Sequence, residues 1–360
     1  MSHGTFTATQ AKDKLKTSFL KKGLFIATIS GMSYGLYIAF ITLAMSVGIW
    51  EEWYGDANVA ALSVFTIFIF LSILANAINY SVSAIWGAGF AAIKGKMREL
   101  RRSLKTKPGR TLVIAALVGG PISGSAFVIA LMMAGPIATP ITALCPAIGA
   151  IFSRIFFKQK LNARMIGGII VCVIASFLIG MQGLGADAPE NMFIGILIAL
   201  ICAFGWGFEG CVAGHATSMI DYEIAVLIRQ ITTGLAGLFI LVPLFAIIGG
   251  DISQAIYVTG RTVTDMGSMP IFLISGFFAL FAFSLWYKGN SMCGTALGMA
   301  ANGAYSFWGP FFCWVILGLF LGFEGMELSA VAWGASVLMF VGILFIAVNP
   351  FSYLKKKEVA

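Results

Sequence analysis

Ten apolar runs, most of them linked by short polar connections, cross this 360-residue chain from end to end. Their limits fall near residues 23–48, 59–90, 111–134, 136–157, 164–183, 192–217, 222–249, 269–288, 292–320 and 329–348. A helix rises about 1.5 Å per residue, so about twenty residues cross a hydrocarbon core of about 30 Å. The runs are continuous and do not alternate in segments of about ten residues, which predicts helices and not barrel strands. The first run is longer than a signal-peptide core and lacks a convincing cleavage site, so it reads as a retained first helix. The second exceeds what a bilayer requires and predicts a helix that tilts or runs on into the cytoplasm.

Composition agrees with this reading. Hydrophobic residues make up 59% of the chain and charged residues 11%. Soluble domains carry roughly 25% charged residues, so this chain cannot cover itself with polar surface in water. The expected fold class is an all-α membrane protein.

The net charge of +8 invites a nucleic-acid partner, and the positions of the charges argue against one. Of 23 lysines and arginines, five lie between Lys12 and Lys22, eight in residues 94–110, four between Arg154 and Arg164, and three at Lys355–Lys357. With ten spans, these clusters all fall on one side. The opposite connections hold Glu51, Glu52, Asp56, Asp187, Glu190, Asp251, Asp265, Glu324 and Glu327, with Arg261 as their lone base. The positive-inside rule then puts both termini in the cytoplasm, and the basic face suits anionic membrane lipid.

An internal repeat runs through the spans. "ISGMSYGLYIAF" (Ile29–Phe40) lines up with "ICAFGWGFEGCV" (Ile201–Val212), matching Tyr34 with Trp206 and Tyr37 with Glu209. "CPAIGAIFSRIFF" (Cys145–Phe157) matches "GPFFCWVILGLFL" (Gly309–Leu321). "IGGIIVCVIASFLI" (Ile166–Ile179) matches "WGASVLMFVGILFI" (Trp333–Ile346). Each half holds five spans, an odd number, so the halves are expected to be inverted across the membrane. Inverted repeats mark secondary transporters, with the binding site between the halves near the midplane. The predicted organisation is a cytoplasmic tail (1–22), a first five-helix repeat (23–183), a second (192–348) and a C-terminal cytoplasmic tail (349–360).

Ionisable residues inside the spans are few: Glu209, Arg229 and, near an end, Lys288. A charge at a helix centre costs about 2.5–3.5 kcal/mol on insertion scales. Protonating an ordinary carboxyl at neutral pH costs a comparable amount, about 3.7 kcal/mol. Glu209 therefore suits a role that alternates between a cation and a proton, or it forms a fixed ion pair with Arg229. Trp206 shares a helix face with Glu209, three residues away. Asn302, Tyr305 and Trp308 recur at the same spacing, as do Tyr34 and Tyr37. Aromatic rings beside one carboxylate hold ammonium ligands through cation–π attraction of about 0.5–2 kcal/mol per ring. The alternative for each ring is ordinary packing.

Several classes lack their signatures. The chain has no HExxH or Walker motif, its one GxSxG match, Gly31–Gly35, lies inside the first apolar run and not at a strand-to-helix turn, and no nucleophile–base pair marks it as an enzyme. The six cysteines, Cys145, Cys172, Cys202, Cys211, Cys293 and Cys313, lie within or at the ends of apolar runs without a CxxC pair. They read as small packing residues, neither metal ligands nor a disulfide frame. No metal or cofactor is expected.

"ALCPAIGAIFSRIFFKQKLNARMIGGIIVCVIASFLIG" (Ala143–Gly180) resembles the closing segment of each half in the drug/metabolite transporter superfamily (EamA-type). "GWGFE" (Gly205–Glu209), "EIAVLIRQIT" (Glu223–Thr232) and "NGAYSFW" (Asn302–Trp308) are most similar, within that superfamily, to bacterial choline permeases of phosphorylcholine pathways. The resemblance implies ten helices, alternating access, a multi-pass place in the plasma (inner) membrane and a choline-like amine as substrate. Trp206, Glu209, Tyr305 and Trp308 would line the ammonium site, with Asn302 and Arg229 nearby. The chain departs from that pattern at Tyr34, where a tryptophan is usual, and at Ile129 and Cys145, where tyrosines are usual. Those departures favour a different or smaller amine. Two other expectations stand beside it: an exporter of amino acids or other metabolites, and a membrane protein that binds a ligand or assembles without transport.

Overall fold

The computed structural model describes residues 8–54, 62–158, 163–181, 190–217, 219–293 and 295–347, and among them every regular element is helical. The principal helices are α1 (Ala8–Ala44), α2 (Leu71–Ile93), α3 (Lys107–Leu117), α4 (Ser123–Ala134), α5 (Cys145–Phe157) and α6 (Ala163–Gly180). They are followed by α7 (Met192–Ala216), α8 (Tyr222–Ala236), α9 (Met269–Cys293), α10 (Thr295–Asn302), α11 (Tyr305–Phe312) and α12 (Ala330–Ala347). Among the described residues, six helical stretches are long and apolar enough to cross a membrane: Ser18–Ala44, Thr66–Ile93, Lys107–Thr142, Met192–Ala216, Tyr222–Ile248 and Met269–Cys293. Four shorter apolar helices, Cys145–Phe156, Ala163–Ile179, Tyr305–Phe320 and Ala330–Phe345, fall within the remaining predicted runs. The chain is a membrane-embedded helical protein.

Local sequence explains the irregularities. A proline inside a helix removes an N–H and crowds the preceding turn, which a widened π turn absorbs. Pro121 lies inside such a turn, Val118–Ile122, between α3 and α4. Pro243 follows the π turn Gly237–Leu241, and Pro310 precedes the π stretch Cys313–Phe320. The long connections are not loops. Residues Met97–Leu104 form a basic helix, and Ile252–Thr264 form another, capped where Asp251 accepts from the Gln254 amide at 2.8 Å. The first helix begins at Ala8, so most of the expected N-terminal tail is helical. Asp56, Asp187 and the expected tail 349–360 lie outside the described residues.

The helices pair across the two halves of the chain in matched sets. Helix α1 packs on α9, and α7 packs on α4. Helix α7 packs on α5, and α1 packs on α10 and α11. Helix α2 meets α8, and α6 meets α12. Exchanging each helix for its repeat counterpart returns the same list of pairs. Residues that the repeat alignment matches also meet directly. Tyr34 and Trp206 stand edge to face with centroids 5.8 Å apart, and the Cys172 thiol points to the Met339 carbonyl at 3.8 Å. All six cysteines are buried, and none is in a disulfide.

Candidate ligand site at the centre of the bundle

Glu209 is fully buried on α7, in a stretch whose glycines let neighbours approach. A Cβ on Gly119 would collide with the Glu209 carboxylate, and a Cβ on Gly207 would lie 2.8 Å from Ile148. The carboxylate does not stand alone. Arg229, also fully buried, donates from Nε to Oε1 at 2.6 Å and from Nη2 to Oε2 at 3.2 Å. This forked geometry gives the strongest kind of Arg–carboxylate pair. Tyr287 donates its hydroxyl to Oε1 at 3.3 Å.

The guanidinium is held as tightly as the carboxylate. Its Nη1 donates to Gln230 Oε1 at 3.0 Å, and Gln230 Nε2 donates to Ser83 Oγ at 2.9 Å. Its carbon lies 3.6 Å from the centre of the Phe283 ring and 5.1 Å from that of Tyr80. Arg229 thus has a carboxylate in its plane and aromatic faces beside it. An organic ammonium ligand would look for the same partners.

On the other side of Glu209 lies a small aromatic cavity. Tyr34, Trp206, Phe283, Trp286, Tyr305 and Asn302 line it, with Cys145 on α5. Tyr34 is its hub, with centroids 4.9 Å from Tyr305, 5.7 Å from Phe283 and 5.0 Å from Tyr37. Trp206 is anchored through its indole N–H, which donates to the Gly119 carbonyl at 2.8 Å. Tyr305 donates its hydroxyl to Thr142 Oγ1 at 3.3 Å. Ser30 donates to Asn302 Oδ1 at 2.7 Å and so fixes that amide at the rim. The cavity measures about 20 Å³. That is room for about one water, where drug-sized ligands need roughly 300–1,000 Å³. The side chains are closed around the site.

The expected site residues separate into two groups. Trp206, Glu209, Tyr34, Tyr305 and Asn302 come together at the cavity, with Arg229 behind Glu209. Tyr37 packs beside Tyr34 but looks toward Tyr80, its ring centre 6.5 Å away, and does not line the cavity. Trp308 is elsewhere. It lies on the same helix as Tyr305, where a step of three residues falls about 60° short of a full turn and carries its ring off the cavity face. Its ring packs among Phe307, Phe311 and Phe312, and its backbone lies against Gly35.

Sequence reasoning missed a polar stripe on α2. Asn76, Asn79, Tyr80 and Ser83 are all fully buried and recur at helical spacing on one face. Asn76 Nδ2 donates to Ser125 Oγ at 3.2 Å, and Ser83 meets Gln230. Among the described residues, both amide atoms of Asn79 and the hydroxyl of Tyr34 have no hydrogen-bond partner. Each such orphan costs about 1–3 kcal/mol in a dry interior. The spacing of these four residues inside an apolar run was the available signal. Among the described residues, no three His, Cys, Asp or Glu side chains group as metal ligands would.

No protein-family model matches the chain, and no curated protein matches it. Of 25 solved chains that match it in structure, one is described only as "Crystal structure of protein". It superposes with a TM-score of 0.54 at 17% identity, over 89% of this chain and 94% of that one. The likeness is one of fold.

Proposed function

We propose that the protein is a secondary transporter of a small organic cation or amine, choline-like in chemistry, that works by alternating access. The observation that carries this reading is the pairing of Glu209 with a closed aromatic cavity at the seam between the two halves. A carboxylate among tyrosine, tryptophan and phenylalanine faces is suited to an ammonium group. A cavity this small must open to admit a ligand, and two interchangeable halves supply a way to open it on either side. The matched helix pairs support the inverted-repeat reading. Ten spans, both termini on the cytoplasmic side of the plasma membrane and kinship with the drug/metabolite transporter superfamily complete the proposal and rest on the sequence.

In this reading Arg229 is a tethered competitor. With the site closed, its guanidinium satisfies Glu209 and removes the penalty of an unpaired buried charge. An incoming ammonium on the cavity side takes over Glu209, and Arg229 turns to Gln230, Tyr80 and Phe283. A proton is the candidate coupling ion, since it can take the same place on Glu209. Asn302 and Tyr305 position the polar end of the ligand, and Tyr34 and Trp206 enclose its apolar part.

One observation favours a second reading. The buried Glu209–Arg229 pair is neutral as a unit, which fits a zwitterion such as an amino acid, its carboxylate on Arg229 and its ammonium on Glu209. That protein would be the metabolite exporter. Proteoliposomes containing purified protein, given a pH gradient and labelled amines or amino acids, separate the cases. Accumulation of an amine by wild type but not by Glu209→Gln supports the cation carrier. Uptake of amino acids alone, lost with Arg229, supports the exporter. Binding without movement of any ligand contradicts transport.

A further inference from the structure

A second, larger cavity lies away from the Glu209 site. It opens where the end of α2, the start of α8 and the later turns of α9 meet, and measures about 340 Å³. Helix α9 separates the two cavities. Phe283 and Trp286 look into the Glu209 site, while Leu280, Phe281 and Ser284 line this cleft. The two faces share no residue.

The cleft is amphipathic along its length. Its floor is apolar, with Leu227 and Leu280 buried beneath Gly87, where a Cβ would lie 3.2 Å from each leucine. Phe90 and Phe281 flank its mouth and are 41% and 44% exposed, so the opening continues onto a surface of the bundle that meets acyl chains. Its other end carries three ammonium groups from two segments: Lys94 and Lys96 in the turn after α2, and Lys288 on α9. Glu223 accepts from Lys94 at 2.7 Å and from Lys96 at 2.8 Å, and Asp221 accepts from Lys96 at 3.2 Å. Three cations against two carboxylates leave an excess positive charge at the rim. Lys288 supplies it: it pairs with no carboxylate among the described residues and rests 5.4 Å from the centre of the Tyr222 ring. The next helix, Met97–Leu104, adds Arg98, Arg101 and Arg102 against Glu99 alone. The field over the rim is positive.

We propose that this cleft is a binding site for an anionic phospholipid, with an acyl chain along Leu280 and Phe281 and the phosphate between Lys288 and Lys94. Charge and shape both select this occupant. Basic pockets between membrane helices bind acidic head groups. A volume of about 340 Å³ with apolar walls is more than a free inorganic anion needs and suits part of an acyl chain. Lys94 and Lys96 follow directly on the end of the apolar stretch Thr66–Ile93, where a membrane helix meets the head groups. Because α2 and α8 also carry Ser83, Gln230 and Arg229, an occupied cleft would brace the two helices that hold the buried ion pair.

The test uses full-length protein in nanodiscs of phosphatidylglycerol and phosphatidylcholine mixed equally, followed by gentle extraction and native mass spectrometry of the lipids that stay bound. Two variants separate the two halves of the site: Lys94→Gln/Lys288→Gln removes the cations, and Ser284→Trp fills the cleft and leaves them. The expected result is one retained phosphatidylglycerol, favoured at least tenfold over phosphatidylcholine. The double variant is expected to lose that preference, and Ser284→Trp to lose the retained lipid while the protein stays folded by its melting curve. Equal retention of the two lipids, or retention unchanged in both variants, would overturn the proposal. Displacement of the lipid by millimolar inorganic phosphate would also overturn it, because the site would then be one for a free anion.

Discussion

Tyr34 and Trp206, one from each half of the chain, meet edge to face with ring centres 5.8 Å apart and planes at 85°. They occupy matched positions in the internal repeat read from the sequence, and their contact joins its two halves. The cavity sits at this contact, and Glu209 lies one further helical step along α7 from Trp206. A ligand held there touches both halves at once, which is what a site for alternating access requires.

The Glu209–Arg229 pair should behave as a unit. Breaking a buried ion pair by removing one partner typically costs about 3–5 kcal/mol, whereas replacing both with apolar residues is often neutral. Glu209→Leu and Arg229→Leu should each lower the melting midpoint in detergent by several degrees. The double variant should recover most of that loss. Simple addition of the two losses would mean that the residues are not coupled.

Close backbone approach at Gly119 should be indispensable. A Cβ there would press on the Glu209 carboxylate, and its carbonyl accepts from Trp206. Overpacking of this kind costs about 1–3 kcal/mol. Gly119→Ala should therefore be destabilised and impaired in ligand binding. Gly89→Ala, where an added Cβ meets nothing within 4 Å, should match wild type by the same melting assay.

The aromatic residues should separate by position. Tyr305→Ala and Tyr34→Ala should each weaken amine binding about 2- to 30-fold, the equivalent of about 0.5–2 kcal/mol per ring. Tyr305→Phe should keep most of the affinity, since the ring stays and only the hydroxyl's bonds to Thr142 and Cys145 are lost. Trp308→Ala should change affinity by less than about twofold, because that ring lies outside the cavity. Calorimetric titration of the four variants reads this order directly.

Alkali should release one surface clasp. The hydrogen bond to Glu223 raises the pKa of Lys96 above the ordinary lysine range, against an opposing effect of burial. A group raised on folding contributes stability that is fully present below its unfolded pKa and is lost as pH rises through the folded one. Wild type and Lys96→Met should therefore differ by a constant small margin up to about pH 10, near the reference lysine value. The margin should close at more alkaline pH in melting curves recorded across that range.

The parts legible in the sequence are those where charge or hydropathy departs sharply from its surroundings. Glu209 and Arg229 stood out because nothing else charged lies near the middle of their helices, and their pairing follows from burial. Trp206, Tyr34, Tyr305 and Asn302 were legible from helical spacing. Trp308 was not, because a step of three residues from Tyr305 on the same helix falls about 60° short of a full turn and takes the ring away from the cavity. Asn76, Asn79, Tyr80 and Ser83 escaped notice because neutral polar residues barely lower the hydropathy of the run around them. Phe283 and Trp286 could not be assigned to the cavity, since α9 is apolar on every face and only packing against α1 sets its rotation. The helix Ile252–Thr264 lay in a connection too polar to register as an apolar run, although Asp251 is a recognisable cap.

The most direct test of the charge exchange at Glu209 is the affinity of one small quaternary ammonium ion for wild type, Glu209→Gln and Arg229→Gln, measured on the same preparation. If Arg229 competes with the ligand for Glu209, binding is lost in Glu209→Gln and becomes several-fold tighter in Arg229→Gln. Loss of binding in Arg229→Gln with retention in Glu209→Gln would contradict the cation carrier and assign the site to a carboxylate.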